Sequence, residues 1–394
     1  MKWYLGLNLL VLTSACSALA DSFLPISVEE ICRDSRVLYQ TVTPSSSRNY
    51  SPFSLSKWPE SQPHHVTLAE TYILRISEGQ VYSTQGIIFH QRRIVAEQIW
   101  PNNIGFKAQA LGLSPQEIPE PQDVEGRLAV ITQGGQSCYY HWLTEVLGRL
   151  AMLEISEIPY DNLYVSLDAP FKEQSLALWG IDPERIIEPF KTIHYGDYRS
   201  VKADQLIVPS LIDRPVPDLE PSLSSYVSPW VLKYLREKFI PKVQKMAENV
   251  EIDENKFSKK IFISRQDAEI RKISNEDALF AELAPLGFTR YCLSELNFAE
   301  QVYLFSKAEQ VIGVHGAGFA NIIFSPPQTK IVEIFQARSD STYCYLAQLL
   351  DFDYAAYKTQ EFTDTEKTGC VDTTISEETL KELVTELTKS AGSL

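Results

Sequence analysis

The spacing of hydrophobic positions changes several times along the chain, and each change marks an element. Between 67 and 97 the apolar residues come in short runs: Thr71-Tyr72-Ile73-Leu74-Arg75-Ile76, Val81-Tyr82-Ser83 and Gly86-Ile87-Ile88-Phe89, with Glu78-Gly79-Gln80 as a turn. That pattern predicts a small antiparallel meander at the edge of a first domain. Residues 98–126 are polar and proline-containing and are expected to be loop with short helices. From Leu128 strands and helices alternate: strands over 128–131, 162–167, 185–188 and 205–209, helices over 140–155 and 171–179, with Gly134-Gly135 and Gly180 as breaks. A helix over 228–240 follows, because Trp230, Leu232, Leu235 and Phe239 recur near the helical period. Residues 241–257 are charged and read either as the end of that helix or as an interdomain connection. A second series starts at Lys260, with strands over 261–263, 289–293, 311–314 and 331–335 and helices over 275–286, 298–308 and 318–324. Residues 341–394 are largely helical in character, with a polar loop over 361–373 and an amphipathic last helix over 380–387. Alternating strands and helices imply parallel sheets with crossover helices. The expected fold is α/β, two facing doubly wound domains with a cleft between them: 67–240, 258–350, and a C-terminal helical segment over 351–394. Ligands of such sheets bind beyond the carboxyl ends of the strands.

Length and composition agree with this picture. The 394 residues suffice for two domains with cores. A net charge of -15 removes the general basic footprint of nucleic-acid binding, but a local basic pocket remains compatible with it. Lys2, the apolar run 5–13 and Ala18-Leu19-Ala20 read as a cleaved signal or a short anchor. The run falls short of the ~20 residues of a membrane span. Residues 21–66 are rich in Ser and Pro, and 43–52 read as loop or linker; Asn49-Tyr50-Ser51 matches the glycosylation triplet, a common chance match. The six cysteines show no Cys-x-x-Cys pair, so free thiols are expected, with a Cys344–Cys370 bridge only in an oxidising compartment.

Three clusters carry candidate chemistry. After Gly134-Gly135, His141, Glu145 and Arg149 share a helix face. Glu145 either orients His141 or acts itself as base toward a hydroxyl nucleophile; the plainer reading is a helix-surface pair. Arg265 closes a hydrophobic strand, and its planar fork suits a phosphate. Arg271 assists it or pairs with Glu276, and Asn275 binds or merely caps a helix. In Gly313-Val314-His315-Gly316-Ala317-Gly318-Phe319-Ala320-Asn321 a strand feeds a histidine and small residues at a helix start, where backbone N–H groups meet phosphate. Gly316-x-Gly318 lacks the third glycine that a dinucleotide fingerprint needs. Asn321 caps or binds; Glu333 accepts from ribose hydroxyls or holds a loop. No Asp-x-Asp pair offers a metal site under a diphosphate, and Asp213, Asp218 and Asp267 are isolated.

Taken together, Tyr140-His141-Trp142-Leu143 with Glu145 and Arg149, Ile263-Ser264-Arg265 with Arg271 and Asn275-Glu276, Phe298 with Glu300-Gln301, and Val314-His315-Gly316-Ala317 with Asn321, Phe324 and Glu333 resemble the family 61 glycosyltransferases over roughly 128–340. Gly318 stands where that family commonly has alanine. The resemblance implies a glycosyltransferase B fold and an inverting, metal-independent transferase that takes a nucleotide sugar, commonly UDP-linked, to a glycan or glycoconjugate hydroxyl, as in capsular or other cell-surface polysaccharide synthesis. It places Arg265, Arg271, His315, Gly316 and Ala317 near the diphosphate, Glu333 near the nucleoside, and His141 and Glu145 on the acceptor side. Nucleic acid is not an expected partner; oligomeric state and peripheral membrane association are left open. The fate of residues 1–20 decides between a secretory and a cytoplasmic setting. The competing reading is a non-catalytic polysaccharide-binding or assembly module.

Overall fold

Two sheets organise the computed structural model, which describes residues 24–51, 64–99, 113, 118–190, 197–212, 226–336, 341–359 and 372–389. The expectations for 1–20, Cys370, Asp213, Asp218 and most of 361–373 lie outside the described residues. Among the described residues twelve strands precede the long central helix: β1 (Pro25–Ile26), β2 (Val37–Thr43), β3 (Ser46–Tyr50), β4 (His64–Leu68), β5 (Thr71–Ser77), β6 (Gln80–Tyr82), β7 (Ile87–His90), β8 (Arg93–Val95), β9 (Gln122–Val130), β10 (Asn162–Tyr164), β11 (Ile186–Ile187) and β12 (Ser200–Pro209). Ten of them form one sheet, ordered β1-β8-β7-β6-β12-β9-β10-β11, with β5 beside β12 and β2 beside β5. Only part of it is the parallel sheet expected for the first domain. β12, β9, β10 and β11 run parallel, whereas β5, β6 and β7 are antiparallel to their neighbours. The reason is loop length. Tight turns at Gly86 and at Gln91-Arg92, all at positive φ, join β6 to β7 and β7 to β8 and can join only antiparallel strands, whereas Glu78, also at positive φ, is a bulge where β5 runs on into β6 along β12. The meander is also not peripheral, because β5 pairs with β12 from Gln205↔Ser77 to Pro209↔Ile73.

The second sheet holds β13 (Lys260–Ser264), β14 (Thr289–Cys292), β15 (Gln310–Val314), β16 (Lys330–Phe335) and β17 (Asp353–Lys358), all parallel, in the order β14-β13-β15-β16-β17. This is a doubly wound order, and its switch point lies between β13 and β15. Side chains alternate across it. Phe262 faces one apolar layer with Leu279 and Leu283 of α4 (Glu276–Leu283) and Leu383 of α7 (Glu377–Thr388). Ile261 and Ile263 face the other layer. That second layer is shared with the first sheet through Ala129 and Ile131. It is filled by α1 (Tyr139–His141, then one π turn at Trp142–Val146, then Leu147–Ile155), α2 (Pro170–Trp179), α3 (Pro229–Glu248), α5 (Phe298–Ser306) and α6 (Thr342–Leu350), with the 3-10 helix Ala317–Phe324.

Several boundaries differ from the sequence reading. α3 runs through Pro241 to Glu248, so the first part of 241–257 is the end of a long helix, at the loss of one backbone bond to the Glu237 carbonyl. β9 begins at Gln122, inside the stretch expected to be loop. Ser46–Tyr50, expected to be loop, pairs with β4; Tyr50 alone of that strand is buried, so no alternation announces it. Asp353–Lys358, expected within a helical segment, is a strand recruited by the open edge of β16. The thiols of Cys32, Cys138, Cys292 and Cys344 are free. Among the described residues no helix is long and apolar enough to cross a membrane.

Candidate functional site

The carboxyl ends of β13 and β15 deliver Arg265 and His315 to the switch point. The His315 amide bonds to the Ile334 carbonyl at 2.9 Å, which fixes where the chain leaves the sheet. Gly316 follows. A Cβ built on it would lie 2.5 Å from Nη1 of Arg265, so the guanidinium rests directly on the glycine. The first amides of the Ala317–Phe324 helix have no carbonyl within it to bond and carry its positive end. Burial, helped by the neighbouring Arg271 charge, pushes the pKa of Arg265 below that of an ordinary guanidinium. Its Nη2 donates to the Ile270 carbonyl at 3.1 Å, while its buried Nε has no hydrogen-bond partner. A cation held out of water beside a second cation is a place for an anion. Arg271 itself has φ 63°, a left-handed conformation costly to a non-glycine residue.

His315 is held from below. Its Nδ1 lies 2.5 Å from Oε1 of Glu333, a fully buried carboxylate on β16. The Tyr354 hydroxyl of β17 donates to the other oxygen at 2.5 Å. The imidazole stacks on Phe335 at 5.1 Å and tilts against Tyr343 at 5.6 Å. Tyr343, on α6, donates its hydroxyl to the Gly316 carbonyl at 2.8 Å.

A second pair comes from α1, the helix that follows β9 of the first sheet. His141 sits in the first turn of α1, and its Nδ1 lies 2.5 Å from Oε1 of Glu145. Gln133, buried just beyond the end of β9, donates its amide to Oε2 of the same carboxylate. The π turn from Trp142 to Val146 lies between the two partners and includes Glu145, a distortion frequent at functional sites. With Glu145 fully engaged, the arrangement favours orientation of His141 over direct action by the carboxylate. Both histidines line one cleft of about 160 Å³, with Cys138, Tyr140, Arg271, Gly316, Ala317, Thr342 and Tyr343. Burial pushes the Cys138 thiol up, against the opposite pull of Arg271. A larger hollow of about 250 Å³ by Pro229, Leu232 and Leu349 has none of this chemistry; its Arg236 is bonded to the carbonyls of Ile323 and Ser325.

Other sequence candidates hold the site together. Buried Glu276 accepts from the Ser264 hydroxyl at 2.7 Å and pairs with Arg290. Asn275 bonds both backbone groups of Ile375 at 2.9 Å and does not cap α4 with its side chain. Buried Asn321 accepts from the Tyr139 hydroxyl at 2.8 Å and donates to Gln301 and to the Gly318 carbonyl. Gly318 packs on Leu293, whose Cδ1 would be 3.0 Å from an added Cβ, so an alanine fits with a slight shift. Arg149 is buried and bonded to the carbonyls of Ile131, Thr132 and Pro209, which joins the ends of β9 and β12. Sequence reasoning passed over Gln133, Thr342, Tyr343 and Tyr354. The only trace was the position of Gln133 just before the double glycine. Among the described residues no group of three or more His, Cys, Asp or Glu is arranged to hold a metal ion.

Residues 139–332 match the family model Glycosyltransferase 61. The chain carries a family 61 glycosyltransferase domain. The matched span opens on Tyr139 at the start of α1 and closes one residue before Glu333, so it contains both histidines of the cleft. The chain is also similar to EGF domain-specific O-linked N-acetylglucosamine transferases. Identity is 27% over 104 residues to that of Mus musculus, covering 25% of this chain and 20% of the relative. It is 26% over 106 residues to that of Canis lupus familiaris, covering 26% and 20%. It is 26% over 104 residues to that of Gallus gallus, covering 25% and 19%. The chain thus spans about a fifth of the length of the curated relatives it matches.

Proposed function

We propose that the cleft moves a sugar from a nucleotide donor, UDP-linked, to a hydroxyl of a glycan or glycoconjugate with inversion at the sugar carbon, in a glycosyltransferase B arrangement. One observation carries this reading: His141 with its carboxylate, from the first sheet, and Arg271, His315 and the Gly316 loop, from the second, line the same cleft. The chemistry follows from the two sides. Glu145 accepts the Nδ1 proton of His141 and leaves Nε2 to take the proton of the attacking hydroxyl. On the opposite side Arg265, Arg271 and the helix amides hold the diphosphate and stabilise the charge that grows on it as the C1–O bond breaks. One in-line displacement then suffices, with no covalent sugar on the enzyme. The guanidinium charges supply the electrostatics that a metal ion would otherwise provide under a diphosphate. The relatives' name gives their sugar as N-acetylglucosamine, so that donor belongs in any panel.

The test is calorimetry of UDP and a panel of nucleotide sugars, with and without EDTA, on the wild type and Arg265→Ala. A UDP-linked donor should bind in both media. The variant should lose roughly ten- to a hundredfold in affinity, the worth of a charged hydrogen bond. UDP affinity that is unchanged in Arg265→Ala overturns the donor assignment.

A further inference from the structure

We infer that Glu333, itself held by Tyr354, is a positioning residue that makes His315 take up a proton when the diphosphate binds. This rests on the donor reading above and goes beyond it, because Glu333 then serves the leaving group and not the nucleoside. Both Glu333 oxygens face protein partners, Nδ1 of His315 at 2.5 Å and the Tyr354 hydroxyl at 2.5 Å, and the carboxylate is fully buried. A carboxylate accepts, so Nδ1 carries the proton of that bond. Nε2 is the remaining ring nitrogen, and His315 lines the cleft. A neutral imidazole so oriented would turn a lone pair toward phosphate oxygens, which accept and do not donate.

The charges around the ring make the second proton conditional. Arg265, packed on Gly316, and Arg271, lining the cleft, oppose it. Glu333 favours it. Tyr343 from α6 contributes a phenol already bonded to the Gly316 carbonyl. Cys344 has a thiol pushed up to about 11, by burial first and by the Glu333 charge as well. Across the cleft His141 is matched by Glu145. An arriving diphosphate offsets the two guanidiniums and tips the balance toward imidazolium. In the transfer step the acceptor oxygen bonds to C1 and its proton passes to His141. The C1–O bond breaks with its electron pair moving onto the β-phosphate oxygen. His315 keeps its proton and donates a hydrogen bond to that oxygen; the proton is released when UDP leaves.

The experiment is UDP calorimetry near pH 8, above the ordinary imidazole range, in two buffers of different ionisation enthalpy, with thermal melts of every variant. Wild type should show net proton uptake. Glu333→Gln and His315→Ala should lose the uptake and bind UDP roughly ten- to a hundredfold more weakly. Tyr354→Phe should keep the uptake and weaken binding only about two- to tenfold. His141→Ala should keep the uptake, which assigns it to the donor side. Uptake unchanged in folded Glu333→Gln, or absent in a wild type that binds UDP, overturns the proposal while sparing the donor reading. Should Glu333→Gln fail to fold, uptake that persists in His315→Ala overturns it instead. A wild type that binds no UDP overturns both.

Discussion

At Gly316 a single hydrogen stands between the backbone and the guanidinium of Arg265. The glycine's φ of 168° is extended and open to any residue, so its smallness matters and its conformational freedom does not. The atom an added methyl would meet is the far end of a flexible side chain. Gly316→Ala should therefore displace Arg265 without unfolding the chain: melting temperature near wild type, UDP affinity lower by about tenfold or more, both read on the same samples. On the acceptor side, His141→Ala should lower kcat while UDP affinity stays near wild type; an unchanged rate at saturating substrates would remove His141 from the catalytic list. The two histidine pairs differ in how legible they were. His141 and Glu145 are four residues apart on a helix, a separation that the sequence displays directly. His315 and Glu333 are 18 residues apart, and meet because β15 and β16 pair with Val314 opposite Ile334. That register is a property of the sheet and leaves no mark in the local pattern. Tyr354 needs the next strand as well.

At the scale of elements, the strongly apolar strands of the second sheet were readable because their continuous apolar runs and the intervening helices agree. The elements that were missed are those whose stability is borrowed from neighbours. β17 reads Asp-Tyr-Ala-Ala-Tyr-Lys, with no β-branched residue, and is held by β16. β3 is polar except for Tyr50, whose ring packs against Tyr226 and Tyr345 at 5.3 and 4.8 Å. Resemblance also does not separate chemistry from architecture. Glu300, one of the residues shared with the family, closes a capping box: its carboxylate accepts from the Asn297 amide at 2.9 Å, and Asn297 accepts from the Glu300 amide at 3.0 Å. Glu300→Ala should cost about 1 kcal/mol of stability, as loss of a helix cap does. UDP affinity should not change, because α5 supplies nothing that lines the cleft. Denaturant melts and calorimetry distinguish this from a ligand role, in which affinity would fall and stability would not.

For the whole molecule, the decisive feature is that the two sheets share one core layer, in addition to the layer each has on its other face. One apolar layer runs from Ala129 and Ile131 on the first sheet, through α1, α3 and α5, to Ile261, Ile263, Val311 and Ile331 on the second. Phe239 on α3 is fully buried in it, in edge contact with Trp179 of α2, Phe298 of α5 and Phe324 of the helix that follows β15. The cleft is built from residues on both sides of this layer, so its geometry depends on the layer staying intact. Two consequences can be measured together. Urea unfolding should be a single transition, since neither sheet can expose its share of the layer without exposing the other's. Phe239→Ala should move that one transition by about 3–5 kcal/mol, the cost of a large side chain lost from a packed core. Two resolved transitions, with Phe239→Ala shifting only one, would mean that the sheets fold as independent units. The alignment of His141 with His315 would then rest on local contacts such as those of Tyr139 with Asn321 and of Tyr140 with Tyr343.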